Sequence, residues 1–279
     1  MITAKTKITG LIGYPVTHSL SPYMHNAAFK HLGLDYCYLC FSVHPDLLAE
    51  AVYGVRAMDF AGANVTVPHK EKAMAALDEI DEEARFIGAV NTILNKDGKL
   101  SGYNTDGRGF MRSVAEAGIS LTGKKVFVAG AGGAAKAITY YIAQEAQSLS
   151  IFDIDEPKLT ALVKHLKTVN PNVFAEGKNY NLIESHDVII NATPLGLKPD
   201  DPAPFDFSLL SSSHIVCDVI YKDTPLIEKA KSLNCLTTNG LGMLFWQAVL
   251  AFEIWTNTTA PVEIMRKALL EVYEKNVGK

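Results

Sequence analysis

At 279 residues, 48% apolar and 20% charged, the chain is long enough for one large or two modest domains and can bury a substantial core. A formal net charge of −4 gives no electrostatic basis for binding nucleic acid or an anionic membrane surface, so neither is expected as a partner. No apolar run approaches the roughly 20 residues that cross a bilayer, and "MITAKTKITGLIGYPV" lacks the layout of a secretory signal, which makes the cytoplasm the expected location.

Strand-like and helix-like runs alternate from the start. "KITGLIGYPV" reads as a strand, "SPYMHNAAFKHLG" as a helix and "DYCYLCFSV" as a strand. Cys37 and Cys40 sit in that last run. Residues three apart in a strand point to opposite faces, roughly 10 Å from each other, too far for a disulfide or a shared metal. They read as buried small apolar residues, and no metal is expected. Next come "PDLLAEAVYGVRAM" as helix, "GANVTV" as strand and "HKEKAMAALD" as helix. "GAVNTILNKDGKLSGYN" is a hairpin turning at Asp97-Gly98.

A second series opens after "NTDG". The helix "GRGFMRSVAEAG" leads to the strand "KKVFVAG", the helix "AAKAITYYIAQEA" and the strand "SLSIFD". "DVIINAT", "HIVCDVI" and "CLTTNG" read as further strands, and the chain is helical from Leu241 almost to its end. The alternation predicts an α/β fold with largely parallel sheets and boundaries near Thr105 and Gly240, that is, segments 1–105, 106–240 and 241–279.

The most legible motif is "VFVAGAGGAAKAI". An apolar strand meets Gly130, Gly132 and Gly133, and a helix follows at once. Glycines permit a tight turn and let backbone N–H groups approach a pyrophosphate at the helix N-terminus, where the dipole favours an anion. The accompanying rule places an acidic residue about 20 positions on, against the adenosine ribose; counted from Gly133, it is Asp153. Asp155, just before Pro157, reads only as a turn cap.

The first half concentrates polar residues at strand ends, in "HSLSP", "NVTVPHK", "GAVNT" and "GYNTDG", where open α/β sheets bind ligands. Each has a plain structural reading as well. Ser19 and Ser21 could cap the following helix, Lys70 could be a solvated first-turn lysine, and Asp106 could be an N-cap. His18, His25 and His69 have no ligand spacing and read as structural.

Taken together, "HSLSPYMHN", "GANVTVPHK", "GAVNT", "NTDG", "GAGGAA", "NATPLG" and "NGLGMLFWQA" resemble the shikimate dehydrogenase family in order and approximate spacing, over nearly the whole chain. That resemblance implies reversible reduction of 3-dehydroshikimate to shikimate with a nicotinamide cofactor, in aromatic amino-acid biosynthesis. It also implies a substrate domain at 1–105, a Rossmann-like cofactor domain at 106–240, and C-terminal helices at 241–279 that return to the substrate domain. The active site would be the cleft between the two domains, in a monomer or homodimer. By position, Ser19 and Ser21 match hydroxyls that bind the substrate carboxylate, and Asn64, Thr66, Asn91, Tyr221 and Gln247 match its other contacts. Lys70 and Asp106 match the catalytic pair. Gly130, Ala131, Gly132, Gly133, Ala134, Asp153, Asn191, Thr193, Gly240 and Met243 fall on the cofactor side, Met243 beside the nicotinamide. Hydride arriving at a carbonyl carbon leaves a developing alkoxide that needs a proton and nearby positive charge. Lys70 can supply both, while Asp106 orients it and hydrogen-bonds a substrate hydroxyl.

One stretch departs from the family pattern. NADP-using members carry "NRTxxR" after the second strand of the cofactor domain, where the arginines grip the 2′-phosphate. Here the residues are "DIDEPK", Asp153 to Lys158. At about 4 Å and an effective dielectric near 20, each like pair of unit charges costs roughly 4 kcal/mol before salt screening. A carboxylate at 153 therefore predicts preference for NAD over NADP, with NADP use left open. NAD-preferring relatives also oxidise quinate, which makes a dual quinate/shikimate dehydrogenase the alternative; Ser21, where quinate-preferring relatives have threonine, favours shikimate. A non-catalytic dinucleotide-binding regulator is a remote alternative that would lack Lys70 or Asp106. A folate-linked or amino-acid dehydrogenase would share the glycine turn but would not need the paired serines or Gln247.

Overall fold

The strand patterns resolve into two sheets in a computed structural model that describes residues 2–177 and 180–277, without the side chains of 180, 181, 276 and 277. The chain divides into two compact units: Met1–Thr105 with Gln247–Lys279 (unit 1), and Asp106–Trp246 (unit 2).

Unit 1 begins with β1 (Lys7–Gly13), α1 (Ser21–His31), β2 (Tyr36–Ser42), α2 (Leu48–Ala57) and β3 (Gly62–Val65). It continues through β4 (Glu79–Ile80), α3 (Glu82–Ile87), β5 (Thr92–Lys96) and β6 (Lys99–Tyr103). The sheet order is β2-β1-β3-β5-β6-β4. β1 pairs in parallel with β2 and β3, whereas β5 runs antiparallel to both β3 and β6. The sheet is therefore mixed, with three parallel pairings and the two antiparallel ones that β5 makes. The reason is local: Asp97 and Gly98 both have positive φ, the backbone of a type I′ turn, which folds β5 and β6 directly back on each other.

Two readings of unit 1 change. "HKEKAMAALD" forms only a short 3₁₀ segment, Lys72–Ala76, and not an α-helix. The chain must become extended at once to pair β4 with β6, and Asp78 locks that exit by donating N–H to Leu100 O and accepting Leu100 N–H on Oδ2. Tertiary pairing overrides local helix propensity here. Cys37 and Cys40 are free but not buried: β2 is an edge strand, leaving Cys37 half-buried and Cys40 exposed.

Unit 2 contains α4 (Asp106–Glu116), β7 (Lys125–Ala129), α5 (Gly133–Glu145), β8 (Ser148–Phe152), α6 (Glu156–Leu166) and β9 (Val173–Ala175). After these come β10 (Val188–Asn191), β11 (Ile215–Asp218), α7 (Pro225–Ser232) and β12 (Leu236–Thr238). All pairings are parallel, in the order β12-β11-β10-β7-β8-β9. This is a doubly wound sheet whose strand order reverses between β7 and β10, the switch point where such sheets bind ligands. Val126 to Val128 and Val188 to Ile190 are fully buried, as central parallel strands require.

α8 (Leu241–Thr256) and α9 (Val262–Val277) end the chain. The second division between units falls within α8, between Trp246 and Gln247, and not before it at Gly240. In unit 1, α9 packs against α1. Among the described residues no helix is long and apolar enough to cross a membrane.

Candidate active site

The unit 1 candidates lie at strand ends and are linked beneath the surface. α1 is capped by Leu20 without a side-chain bond, so neither serine caps the helix; Ser21 is its first residue, and its N–H donates to Ser19 Oγ at 3.3 Å. Asn64 closes β3, with Thr66 just beyond, where Thr66 N donates to Ile12 O at 2.9 Å. The loop approaches β1 so closely that a Cβ on Gly13 would lie 2.3 Å from Thr66 Cγ2, which explains the glycine.

Lys70 is half-buried, and its carbonyl accepts Val90 N–H at 2.9 Å, tying the "VPHK" loop to the segment before β5. Asn91 is the hub of that segment. Its Oδ1 accepts from Thr105 N (2.8 Å) and Thr92 Oγ1 (3.0 Å), and its Nδ2 donates to Thr105 Oγ1 (2.9 Å). Thr105 Oγ1 donates in turn to the Gln247 carbonyl at 3.1 Å. Residues 183 positions apart in sequence, Asn64 and Gln247, thus belong to one buried polar network.

The histidines are structural in this frame. His69 is buried, with Nε2 2.8 Å from Val43 O. His25 is stacked on Tyr38 with ring centroids 4.4 Å apart, and neither of its nitrogens has a hydrogen-bond partner. Burial drives its pKa down to about 3.

In unit 2 the glycine turn is built as the motif requires. Gly130 has φ +115°, and a Cβ there would lie 2.9 Å from Ala192 O, so both conformation and space exclude a side chain. Gly132 caps α5 and has open space where its Cβ would point; no acidic residue occupies the first turn. Gly133 and Ala134 follow, half-buried. Asp153 holds the turn from the neighbouring strand: Oδ2 accepts Ala131 N–H at 2.6 Å and Oδ1 accepts Asp155 N–H at 2.8 Å. Each oxygen keeps a lone pair for a further donor. Asp155 caps α6 through Lys158 N–H (3.1 Å) and pairs with Lys158 Nζ (2.8 Å), which holds its carboxyl below the usual range. Ile154, between the two carboxylates, is 87% exposed.

Across the switch point, Asn191 is fully buried and spent on shaping its own loop. Its Nδ2 donates to Leu195 O and the Asp218 carboxylate, and its Oδ1 accepts from Thr193 N and Oγ1. Asp218, which sequence reasoning missed, also accepts Ile220 N–H (2.9 Å) and Thr224 Oγ1–H (2.7 Å). Burial pushes its pKa up to about 6 against those donors. The available signal was a lone aspartate inside the apolar run "IVCDVI". The half-buried Tyr221 comes just after it. A Cβ on Gly240 would meet Val219 O at 2.0 Å, so this glycine is required by a backbone crossing. Met243 is buried in the first turn of α8, and Asp106 is the buried first residue of α4.

Lys70 and the serine and amide candidates Ser19, Ser21, Asn64, Asn91 and Gln247 therefore lie in unit 1 with Thr66; Asp106, Tyr221 and the cofactor-side residues lie in unit 2. Among the described residues, no group of three or more His, Cys, Asp or Glu is placed to hold a metal ion.

The chain is also similar to known proteins. Residues 11–93 match a family model described as the shikimate dehydrogenase substrate binding domain, and 240–270 one described as the shikimate 5'-dehydrogenase C-terminal domain. A shikimate dehydrogenase (NADP(+)) of Desulforamulus reducens is 45% identical, covering 96% of each chain. A solved shikimate dehydrogenase in complex with NADP+ superimposes with a TM-score of 0.91 at 42% identity, covering 97% of each chain. The Listeria monocytogenes shikimate 5-dehydrogenase, solved with shikimate and NAD, does so at 0.87 and 39%, covering 96% of this chain and 98% of the other. The two-unit α/β architecture, the glycine turn and these likenesses together establish that the chain belongs to the shikimate dehydrogenase family.

Proposed function

We propose that the protein interconverts 3-dehydroshikimate and shikimate with a nicotinamide dinucleotide, unit 1 holding the substrate and unit 2 the cofactor. The observation that carries this reading is the buried polar network of unit 1, which joins the amides of Asn64 and Asn91 at one set of strand ends and reaches the backbone carbonyl of Gln247 in α8. Amides and hydroxyls fixed in this way suit a small, polyhydroxylated ring acid, with Ser19 and Ser21 for its carboxylate and Thr66 and Tyr221 as further contacts. Lys70 supplies positive charge and a proton at the oxygen where alkoxide develops, and Asp106 accepts a hydrogen bond from a substrate hydroxyl.

The dinucleotide fits unit 2. The pyrophosphate would meet the α5 N-terminus above Gly132, where the space is open and no acid intrudes. Gly130, Ala131, Gly133 and Ala134 shape that turn, Asn191, Thr193 and Gly240 shape the adjoining loops, and Met243 would face the nicotinamide. When bound, the nicotinamide supplies or accepts the hydride.

Within this reading, NAD is the preferred form. Asp153 would accept both ribose hydroxyls; exposed Ile154 offers no charge to a 2′-phosphate, and Lys158 is already paired with Asp155. The Desulforamulus relative is named for NADP(+), and the Listeria structure holds NAD, so the cofactor varies among relatives. Steady-state kinetics with shikimate and quinate, each with NAD and NADP, tests every part. Activity on shikimate with kcat/KM higher for NAD is expected. No turnover of shikimate would overturn the activity, and equal or better use of NADP would overturn the cofactor preference.

A further inference from the structure

The polar network of unit 1 starts at a residue outside every motif, Tyr38. It sits in the middle of edge strand β2, 1% exposed. Its backbone is held on both sides. One side is in register with Thr9 of β1; on the other, Asn26 of α1 donates Nδ2–H to Tyr38 O (3.0 Å) and accepts Tyr38 N–H on Oδ1 (2.8 Å). The ring stacks on His25, 4.4 Å away and nearly parallel at 15°, and packs against Trp255, 5.9 Å away. A side chain held in this way aims its hydroxyl with little freedom.

That hydroxyl donates to Asn64 Oδ1 at 2.8 Å, inside the protein. The other end of the Asn64 amide faces Asn91 O and Thr92 Oγ1, each at 3.1 Å. A backbone carbonyl can only accept, so the end of the amide facing Asn91 O must be the NH₂ group. Both amide hydrogens are then committed inward. What the amide can still offer is the second lone pair of Oδ1, on the atom that Tyr38 holds.

From this geometry we propose that Tyr38 is a positioning residue for substrate: by fixing the Asn64 amide it makes Oδ1 an acceptor for a ring hydroxyl. The inference rests on the proposed substrate class and adds the direction of the hydrogen bond, set by the Asn91 carbonyl, and the residue that holds the accepting oxygen. Tyr38 does not touch the reacting atoms, so its removal should weaken substrate binding and leave the chemical step and the cofactor alone. The hydroxyl-bearing ring would lose part of the advantage it holds over an analogue lacking that hydroxyl, because an amide held at both ends discriminates better than one held only at its NH₂ end.

The test is a double-mutant cycle on Tyr38→Phe and Asn64→Ala, with shikimate affinity read by calorimetry and by KM alongside kcat and the dinucleotide KM. Tyr38→Phe should raise the shikimate dissociation constant and KM about tenfold, as expected for a lost buried hydrogen bond. It should change kcat and the dinucleotide KM less than twofold, and it should have less than a twofold effect in the Asn64→Ala background. An unchanged shikimate affinity in Tyr38→Phe overturns the proposal. So does an equal loss in both backgrounds, or a loss shared by the dinucleotide, since either marks a general packing defect. Thr92→Val provides the second variant, because it frees one Asn64 amide hydrogen while leaving Tyr38 in place. Its shikimate affinity should fall less than threefold, and a tenfold fall would move the anchoring role from Tyr38 to Thr92. Wild-type enzyme that neither binds nor oxidises shikimate would instead strike the proposed function itself, and this positioning role with it.

Discussion

The two units prepare their candidate residues by different physical means. Unit 1 uses side chains held by other side chains: Tyr38, Asn64, Thr92, Asn91 and Thr105 form one hydrogen-bonded series beneath the substrate candidates. Unit 2 uses the backbone, through a glycine turn with positive φ at Gly130, an open helix N-terminus at Gly132, and Asp153 holding Ala131 N–H. A small polyhydroxylated acid is recognised by directional side-chain groups, whereas a pyrophosphate can be met by any chain whose N–H groups converge. The backbone solution leaves a glycine signature in the sequence; the side-chain solution leaves only scattered asparagines and threonines.

The units also bury opposite titration behaviour. In unit 1, burial holds His25 neutral, with a pKa of about 3 against an unfolded value near 6.5. Its contribution to stability is complete above pH 6.5 and is lost as pH falls from there toward 3, because only the unfolded chain then takes up the proton. In unit 2, burial raises Asp218 to about 6 against an unfolded value near 3.9. Its contribution is complete below about pH 4 and is lost as pH rises through 6.

The largest expected effect follows from the first of these. Melting temperature followed from pH 7 to pH 4 should fall much less steeply in His25→Leu than in wild type, the full His25 contribution being up to about 5 kcal/mol. Parallel slopes would show that His25 is not the group that titrates.

Next, Lys70→Ala and Asp106→Ala should each lower kcat by two orders of magnitude or more, with folding and dinucleotide binding retained. Near-normal turnover in either variant removes that residue from the chemistry.

Smaller, and opposite in sign to His25, is Asp218. As pH rises from 4 through 6 it should lower stability by at most about 3 kcal/mol. Asp218→Asn should remove this component of the pH slope whatever it does to absolute stability, and an unaltered slope would show that the carboxylate stays ionised throughout.

The smallest effect concerns the cofactor. Asp153→Asn combined with Ile154→Arg should raise kcat/KM for NADP relative to NAD at least tenfold, by removing a like charge and adding a guanidinium. An unmoved ratio would mean that these residues do not read the ribose.

Much of this was legible beforehand because it is local. The apolar β7 run into Gly130, the Asp97-Gly98 hairpin and the Asp155 cap before Pro157 each express a rule acting over a few residues, and the structure contains all three. The missed features were non-local. The helix expected at "HKEKAMAALD" gives way to β4 because of a strand that arrives 20 residues later. Asp218 looked like an ordinary aspartate until Asn191 and Thr224 closed around it. Tyr38 has no local signature at all, and its place in the network comes from a hydroxyl donated to Asn64, 26 residues away.

By itself, the sequence determined the family, the alternation of strand and helix, the glycine turn and the identity of the candidate side chains, because each depends on residue type and short spacing. Only the tertiary structure decided the pairing of β5 with β3, the division within α8, and the direction in which the Asn64 amide points. Those depend on which groups from distant parts of the chain share a buried space, where each donor must find an acceptor and local pattern carries no information about which one it will be.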